Sequence, residues 1–284
     1  MLGQITKLEL CLVVVLMTIA AGAQDYKTNP RELVRKATAN QEISSDPNLY
    51  FIRKDTKRTK TGEVQTREMV DTPQLVLARL VAINGQPLNE EQRAKENGRL
   101  NRLITDPDEL AKKKKEQQND DARVRRMVRA IPDAFQFQYA GTEPQKDGGE
   151  VVVLNFSPDP NWDPPTRELA VFTGMSGTIK IAVPENRVTL MQAKLFKDVE
   201  FGWGILGKLY KGGDFMIQQG EVYPKYWDLT HLKLHFTGKV LLFKSLNIQQ
   251  DEQLSDFRPV PQMTVAQALD KLKEVDVEYA KNTA

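Results

Sequence analysis

The sequence predicts an α+β protein in which a long antiparallel sheet is accompanied by a few helices. From Pro132 onward, apolar and polar residues alternate with a period of two, and short turns separate the runs. That pattern is typical of antiparallel strands with one buried face. Residues 86–131, by contrast, are rich in Glu, Lys, Arg and Gln, which favour helix.

The first part of the predicted domain combines one helix with three strands. Asn29 is a good N-cap, Pro30 fits the first helical position and Glu32 can complete a capping box, so a helix is expected over 29–42. The third strand ends at Asn84-Gly85, a dipeptide typical of tight turns. The three strands are predicted at 49–52, leading into a polar arm, at 63–70 and at 75–83.

Residues 86–131 are predicted to form a charged helical insertion, whose second helix begins at Asp106-Pro107. The insertion offers few apolar positions for packing against a sheet. Its run from Lys112 to Lys115 would suit an anionic partner, but the surrounding acidic residues favour a solvated helix face.

The later strands are predicted to form a meander that is followed by a helix over 264–280. Thr264 and Gln267 have the spacing of a capping box at the start of that helix. Residues 24–284 are therefore expected to form a single domain. Turns between the later strands are predicted at Pro184-Glu185-Asn186, Lys211-Gly212-Gly213, Tyr223-Pro224-Lys225 and Gly238-Lys239.

Residues 1–23 have the three parts of a secretory signal peptide. Lys7 precedes an apolar run from Leu10 to Ala20, and Ala21-Gly22-Ala23 provides small residues for cleavage after Ala23. The alternative, a buried or membrane-spanning helix, would need a longer apolar run of about 20 residues. The sequence therefore predicts an exported protein of the periplasm or cell envelope, with no membrane-spanning segment after the signal is removed. Cys11 is the single cysteine, so the exported chain could form no internal disulfide.

No catalytic, metal or cofactor site is predicted. His231 and His235 fall on an alternating segment, where four residues of strand separate them by roughly 13 Å, too far for one metal ion. Asp159 and Asp163 could in principle serve as a carboxylate pair, but Asp beside Pro is typical of turns. The chain has 40 basic and 38 acidic residues, and a net charge of +2 does not indicate nucleic-acid binding.

Four short segments of the sequence carry a resemblance to a known family. They are Ile131-Pro132-Asp133-Ala134-Phe135, Gly177-Thr178-Ile179-Lys180-Ile181, Phe201-Gly202 with Lys208-Leu209-Tyr210-Lys211-Gly212, and Leu246-Asn247-Ile248-Gln249-Gln250. With them the chain resembles, over about residues 29–258, the LolA/LolB-like superfamily of lipoprotein carriers and outer-membrane lipoprotein-sorting-like proteins, and in particular secreted acidobacterial-type envelope proteins of that class. The resemblance implies a strongly curved antiparallel half-barrel, partly covered by helices, that holds acyl chains or another apolar ligand.

Two functional hypotheses follow. In the first, the protein is not an enzyme but binds a lipid, an acyl chain or a lipoprotein in the half-barrel. In the second, helices fill the concavity completely, and the charged insertion binds another envelope protein. The residues expected to form the inner wall under the first hypothesis are Phe135, Phe137, Ile179, Ile181, Phe215, Ile217, Leu232, Leu234 and Phe236.

Overall fold

A computed structural model describes residues 26–43, 48–145, 149–201, 207–240 and 244–283. The predicted signal peptide, with Cys11 and the cleavage position after Ala23, lies outside these residues. Within the described ranges, no helix is both long and apolar enough to cross a membrane.

Four α-helices and thirteen strands make up the described fold, together with a 3-10 helix at Arg167–Gly174. The helices are α1 (Pro30–Ile43), α2 (Glu90–Thr105), α3 (Pro107–Ala134) and α4 (Val265–Thr283). The strands are β1 (Tyr50–Arg58), β2 (Val64–Asp71), β3 (Val76–Ile83), β4 (Gln86–Pro87), β5 (Phe135–Pro144), β6 (Glu150–Pro158), β7 (Met175–Ala182), β8 (Arg187–Leu195), β9 (Val199–Phe201), β10 (Gly207–Leu209), β11 (Asp214–Tyr223), β12 (Tyr226–Val240) and β13 (Lys244–Val260).

The strands form one large, curved antiparallel sheet that does not close into a barrel. Its main path runs β4-β3-β2-β1-β13-β12-β11-β8-β7-β6-β5, and the short β9–β10 hairpin joins it through β12. The predicted α+β class, with a curved antiparallel half-barrel and covering helices, is confirmed. β1, from the early part of the chain, pairs with β13, from its late part. This pairing joins the first strands and the later strands in one sheet.

One face of this sheet is concave and lies under α1 and α3. Leu232, Glu252, Lys57 and Gln65 are direct cross-strand partners on β12, β13, β1 and β2, so their side chains share this face. α1 and the C-terminal part of α3 pack here in a hydrophobic cluster with β5, β6, β7 and β8. The concave face is therefore apolar towards β5 and charged towards β2.

The opposite, convex face is covered by α4 at the other end of the sheet. Ile52, Val70 and Leu77 are partners on β1, β2 and β3, and they pack with Leu269 and Leu272 of α4 in a second hydrophobic cluster. Alternation along β1 places Ile52 on the face opposite to Lys57. One continuous sheet thus carries two hydrophobic clusters, on opposite faces and near opposite ends.

α3 runs from one end of the sheet to the other across the concave side. Gln117, in its first half, accepts a hydrogen bond from the Val76 backbone N–H and donates one to the Val76 carbonyl, each at 2.9 Å. These two bonds occupy the free edge of β3 as a neighbouring strand would. Ile131 and Ala134, at the far end of α3, are buried in the cluster at β5. The helix has 28 residues, which corresponds to about 42 Å.

The structure differs from the sequence-based expectations at several boundaries. Gln86–Pro87 pairs with β3 as β4, and α3 continues beyond residue 131 to Ala134. The predicted turn at Gly238-Lys239 is wrong, because β12 continues to Val240. Gly238 is needed there for another reason, since a Cβ atom at this position would lie 2.2 Å from the Lys208 carbonyl oxygen on the crossing strand β10.

A buried ion pair fixes α4 to the sheet. Arg79 of β3 and Asp276 of α4 are 1% and 2% exposed, and the Arg79 Nη2 atom lies 2.8 Å from Asp276 Oδ2. Arg93 of α2 also approaches this oxygen, at 3.3 Å. Two helices and one strand therefore share a single buried carboxylate.

Replacing Asp276 with Ala is expected to destabilise the protein by about 3–5 kcal/mol, because two guanidinium groups lose their buried counter-charge. Urea unfolding at pH 7 measures the change. On the same helix, the exposed Glu274 pairs with Lys271 at 3.0 Å; Glu274→Ala should cost less than about 1 kcal/mol. Equal losses for the two variants would contradict the anchoring role of Asp276.

Candidate functional site

An apolar cavity of about 480 Å³ lies between α1, α3 and the concave face of the sheet. The helices do not fill the concavity completely, and the partly exposed side chains of Ile217, Leu229 and Leu232 border the remaining space. Such a volume falls within the range of about 300–1,000 Å³ that is common for small-molecule sites. Its lining residues are Thr38, Gln41, Val124, Arg125, Val128, Ile131, Ile179, Val188, Met191, Ile217, Gln219, Leu229 and Leu232.

α1 forms one side of the apolar cavity and is held in place by polar contacts at both ends. Near its start, the Arg31 guanidinium donates to the Phe135 carbonyl at 3.2 Å and to Asp159 Oδ2 at 2.7 Å. Near its end, the amides of Gln41 and Gln219 exchange hydrogen bonds of 2.7 and 2.8 Å between α1 and β11. These mutually satisfied amides hold α1 away from the sheet without filling the space beneath it.

α3 forms the cover of the apolar cavity. Ile131 is buried at the inner end, Val128 is half-buried, and Val124 is 59% exposed. This gradient places Val124 at the mouth of the cavity. Arg125 is exposed beside it, so a cationic side chain lies at the rim.

The nine residues predicted for the inner wall fall into two overlapping groups in the structure, and Ile179 belongs to both the cavity lining and the hydrophobic cluster. Ile179, Ile217 and Leu232 line the apolar cavity. The other six belong to the hydrophobic cluster under α1 and α3, either buried in it or packed against it: Phe135, Phe137, Ile181, Phe215, Leu234 and Phe236. The sequence identified the strands correctly but did not distinguish the cavity wall from the core beside it.

A second, charged cavity of about 450 Å³ lies on the same face of the sheet, under α2 and the first half of α3. The sequence gave no local signal for it, because its charged groups come from strands and helices far apart in the chain. Four cations and two carboxylates are among its lining residues: Lys57, Arg67, Arg99 and Lys113, with Glu96 and Glu252.

Asp55 lies behind this charged cavity and is completely buried. It forms an ion pair with Arg67, which also contacts Glu252 at 3.2 Å. Burial raises the pKa of Asp55 to about 6; Arg67 opposes this shift, and Glu252 adds to it. Lys57 approaches Glu252 at 3.5 Å. Two carboxylates therefore share two cations in the floor of the cavity.

Glu96 and Arg99 form the helical side of the charged cavity. Glu96 accepts a hydrogen bond from the Leu80 backbone N–H at 2.8 Å, and Arg99 donates to the Ala78 carbonyl at 2.7 Å. Burial by itself would raise the pKa of Glu96, but hydrogen bonds from Arg99 and from Leu80 outweigh it, so this pKa lies below its usual value. Both side chains thus cover the edge of β3 as well as lining the cavity.

Other polar residues considered from the sequence have structural partners. The Nε2 atom of His231 lies 2.7 Å from Asp251, and His235 lies near Asp214, so the two histidines have separate neighbours. Asp159 accepts from the Asn161 N–H and from Arg31, as expected of a turn residue that also anchors α1. Asp163 is exposed. Among the described residues, no group of three or more His, Cys, Asp or Glu could hold a metal ion.

Two of the solved structures that match this chain are neighbours of low similarity. A putative outer membrane lipoprotein-sorting protein domain from Vibrio parahaemolyticus has 8% sequence identity and a TM-score of 0.30, over 84% of this chain and 97% of that chain. A DUF1329 family protein from Desulfovibrio piger has 11% identity and a TM-score of 0.27, over 83% of this chain and 95% of that chain. No protein-family model and no curated protein matches the sequence. Both TM-scores are low, and we draw no functional conclusion from either neighbour.

The raised pKa of Asp55 predicts a pH dependence of stability. Between about pH 4 and pH 6 the folded protein holds a proton on Asp55 that the unfolded chain has released, so this group's contribution falls as the pH rises. Asp55→Asn removes that contribution. The difference between the free energies of unfolding of the variant and of the wild type should therefore shift in favour of the variant by up to about 3 kcal/mol between pH 4 and pH 7.

Urea titrations at pH 4, 5, 6 and 7 measure this difference. Asp270→Asn, at an exposed position of α4, is the control and should follow the wild-type profile. A constant difference between Asp55→Asn and the wild type across these pH values would contradict the prediction.

Proposed function

We propose that this protein is an exported, non-catalytic carrier or chaperone that binds one acyl chain of a lipid or lipoprotein in its apolar cavity. The observation that carries the proposal is the unfilled space beneath α3, bounded by aliphatic side chains from four strands and a helix. An apolar face that helices pack against only in part is suited to an apolar ligand.

The residue composition of the cavity lining favours an acyl chain over a polar ligand. Nine of its residues are aliphatic or Met, while the paired amides of Gln41 and Gln219 already satisfy each other. Burying ten methylene groups would contribute about 8 kcal/mol, before subtraction of the cost of ordering the chain. Without that cost, about 8 kcal/mol would correspond to a dissociation constant of about 1 μM, so the net affinity is weaker than this, which suits reversible transport.

The compartment follows from the N-terminal sequence. The signal-peptide pattern of residues 1–23 supports export to the periplasm or cell envelope. In that compartment, acyl chains of lipids and lipoproteins have to cross an aqueous space, and a cavity of this kind would shield them from water. The bound acyl chain could accordingly belong to a lipid or to an acylated protein.

Native mass spectrometry of the protein purified from its host envelope fraction tests the proposal directly. A bound mass that solvent extraction releases as an acyl-containing species is expected. An unliganded mass, with no uptake of added lipids, would overturn the carrier proposal and favour the alternative, an envelope interaction protein that uses its charged helices.

A larger side chain on α3 that fills the apolar cavity should weaken the binding of an acyl chain. Val128→Trp places an indole in the space that a chain would occupy, and displacing about three methylenes should cost about 2 kcal/mol, a roughly 30-fold rise in Kd. Calorimetry with uncharged monododecanoyl glycerol, below its aggregation concentration, measures the change.

Asn119→Trp is the matched control, because Asn119 is exposed on the same helix and does not line the apolar cavity. Its affinity for monododecanoyl glycerol should equal that of the wild type. Unchanged affinity in Val128→Trp would show that the chain binds elsewhere.

A further inference from the structure

The apolar and charged cavities are neighbours on one face of the sheet. Leu232, which lines the apolar cavity, is the direct cross-strand partner of Glu252, which lines the charged cavity. Side chains of such partners on one face lie about 5 Å apart at Cβ. The floor therefore changes from aliphatic to ionic across a single strand-to-strand step.

The same helix covers both cavities. Lys113 and Gln117 of α3 line the charged cavity, and Val124 and Val128 line the apolar one. Gln117 and Val124 are seven residues apart, or about 10 Å along the helix axis. A ligand lying beneath α3 would thus meet an aliphatic compartment and an ionic compartment in sequence.

We propose that the ligand is an amphiphile with a phosphate-bearing headgroup, and that this headgroup occupies the charged cavity while the acyl chain occupies the apolar cavity. This inference rests on the function proposed above and adds the class of headgroup and the orientation of the ligand. Four cations face three carboxylates, namely Glu96 and Glu252 in the lining and the buried Asp55 beneath it, so a phosphate group carrying one to two negative charges meets an excess of one positive charge.

The cations differ in how they are already engaged. Arg67 and Lys57 share Glu252, and Arg99 is paired with Glu96 at 2.6 Å. The side chain of Lys113 has neither an ion pair nor a hydrogen bond with any residue in the part of the chain that the structure describes. An incoming anion would therefore gain Lys113 as a new partner and could share the planar guanidinium donors of Arg67 and Arg99.

The opposite orientation makes a different prediction. Arg125 is exposed at the mouth of the apolar cavity, and a headgroup left at the surface would lie near it. Lys113 and Arg125 are therefore the two residues whose substitution distinguishes the orientations. Both side chains are exposed, so neither substitution should affect folding.

Calorimetry with dodecyl phosphate and with monododecanoyl glycerol tests the inference, because the two probes carry chains of the same length. The wild type is expected to bind dodecyl phosphate at least 10-fold more tightly. In Lys113→Gln that preference should fall at least 5-fold, with the affinity for monododecanoyl glycerol unchanged. Lys112→Gln, a matched control at a neighbouring position outside the charged cavity, should keep the wild-type preference.

The outcomes separate this inference from the proposed function. Equal binding of both probes by the wild type would overturn the inference and leave acyl binding intact, whereas failure of both probes to bind would overturn the proposed function too. Loss of the preference in Arg125→Gln but not in Lys113→Gln would overturn the orientation. Inorganic phosphate should bind at least 100-fold more weakly than dodecyl phosphate; comparable affinities would show a simple anion site.

Discussion

The concave face of an open sheet has to be covered, and this requirement determines how the rest of the molecule is arranged. A closed barrel would bury its inner face by itself, but here β4 and β5 lie at opposite ends of the strand path. α3 covers the distance between these ends, fixed to the edge of β3 through Gln117 and to the core beside β5 through Ile131. The charged composition that makes this helix soluble also leaves it with few side chains to fill the concavity. The two cavities remain because a single polar helix, with few apolar side chains, covers a wide sheet.

The division of the concave face into an aliphatic and an ionic part has a topological origin. The strands β7, β8, β11 and β12 contribute the aliphatic part, whereas β1, β2 and the middle of β13 contribute Asp55, Arg67 and Glu252. A charge cluster of this kind is costly to bury unless its members compensate one another. Water or a polar ligand in the adjoining cavity lowers that cost. The ionic part of the face is therefore compatible with a polar ligand and unsuited to serve as a packed core.

The sequence was sufficient to predict the elements whose signal is local. Alternation around Ile179 and His231 reports a strand whatever its neighbours are, and Asn84-Gly85 marks a turn through its own backbone preference, with φ values of 51° and 78°. Burial of Asp55 could not be predicted, because its environment depends on Glu252, nearly two hundred residues away, and the segment was interpreted as a polar arm. Gly238 was misassigned for the same reason, since the close approach of β10 leaves no trace in the neighbouring residues. The residues predicted for the wall lie on strands beneath α1 and α3, and the positions of these two helices decide which of them line the apolar cavity.

The attachment of α3 at its two ends also affects how easily the helix opens. Between residues 111 and 123 only Lys114, Gln117 and Ala122 are even partly buried. This middle segment therefore depends on its own backbone hydrogen bonds, on the contact of Gln117 with Val76 and on the partly exposed ion pair of Arg123 with Glu168. Local unfolding free energy is lowest where buried contacts are few. Hydrogen exchange of the backbone amides should consequently be fast in the middle of the helix and slow at Ile131 and Ala134, where the helix joins the core. Local unfolding in the middle of α3, with both ends of the helix still attached, would let a long, thin molecule enter from the side. The two ends of the sheet would not have to separate.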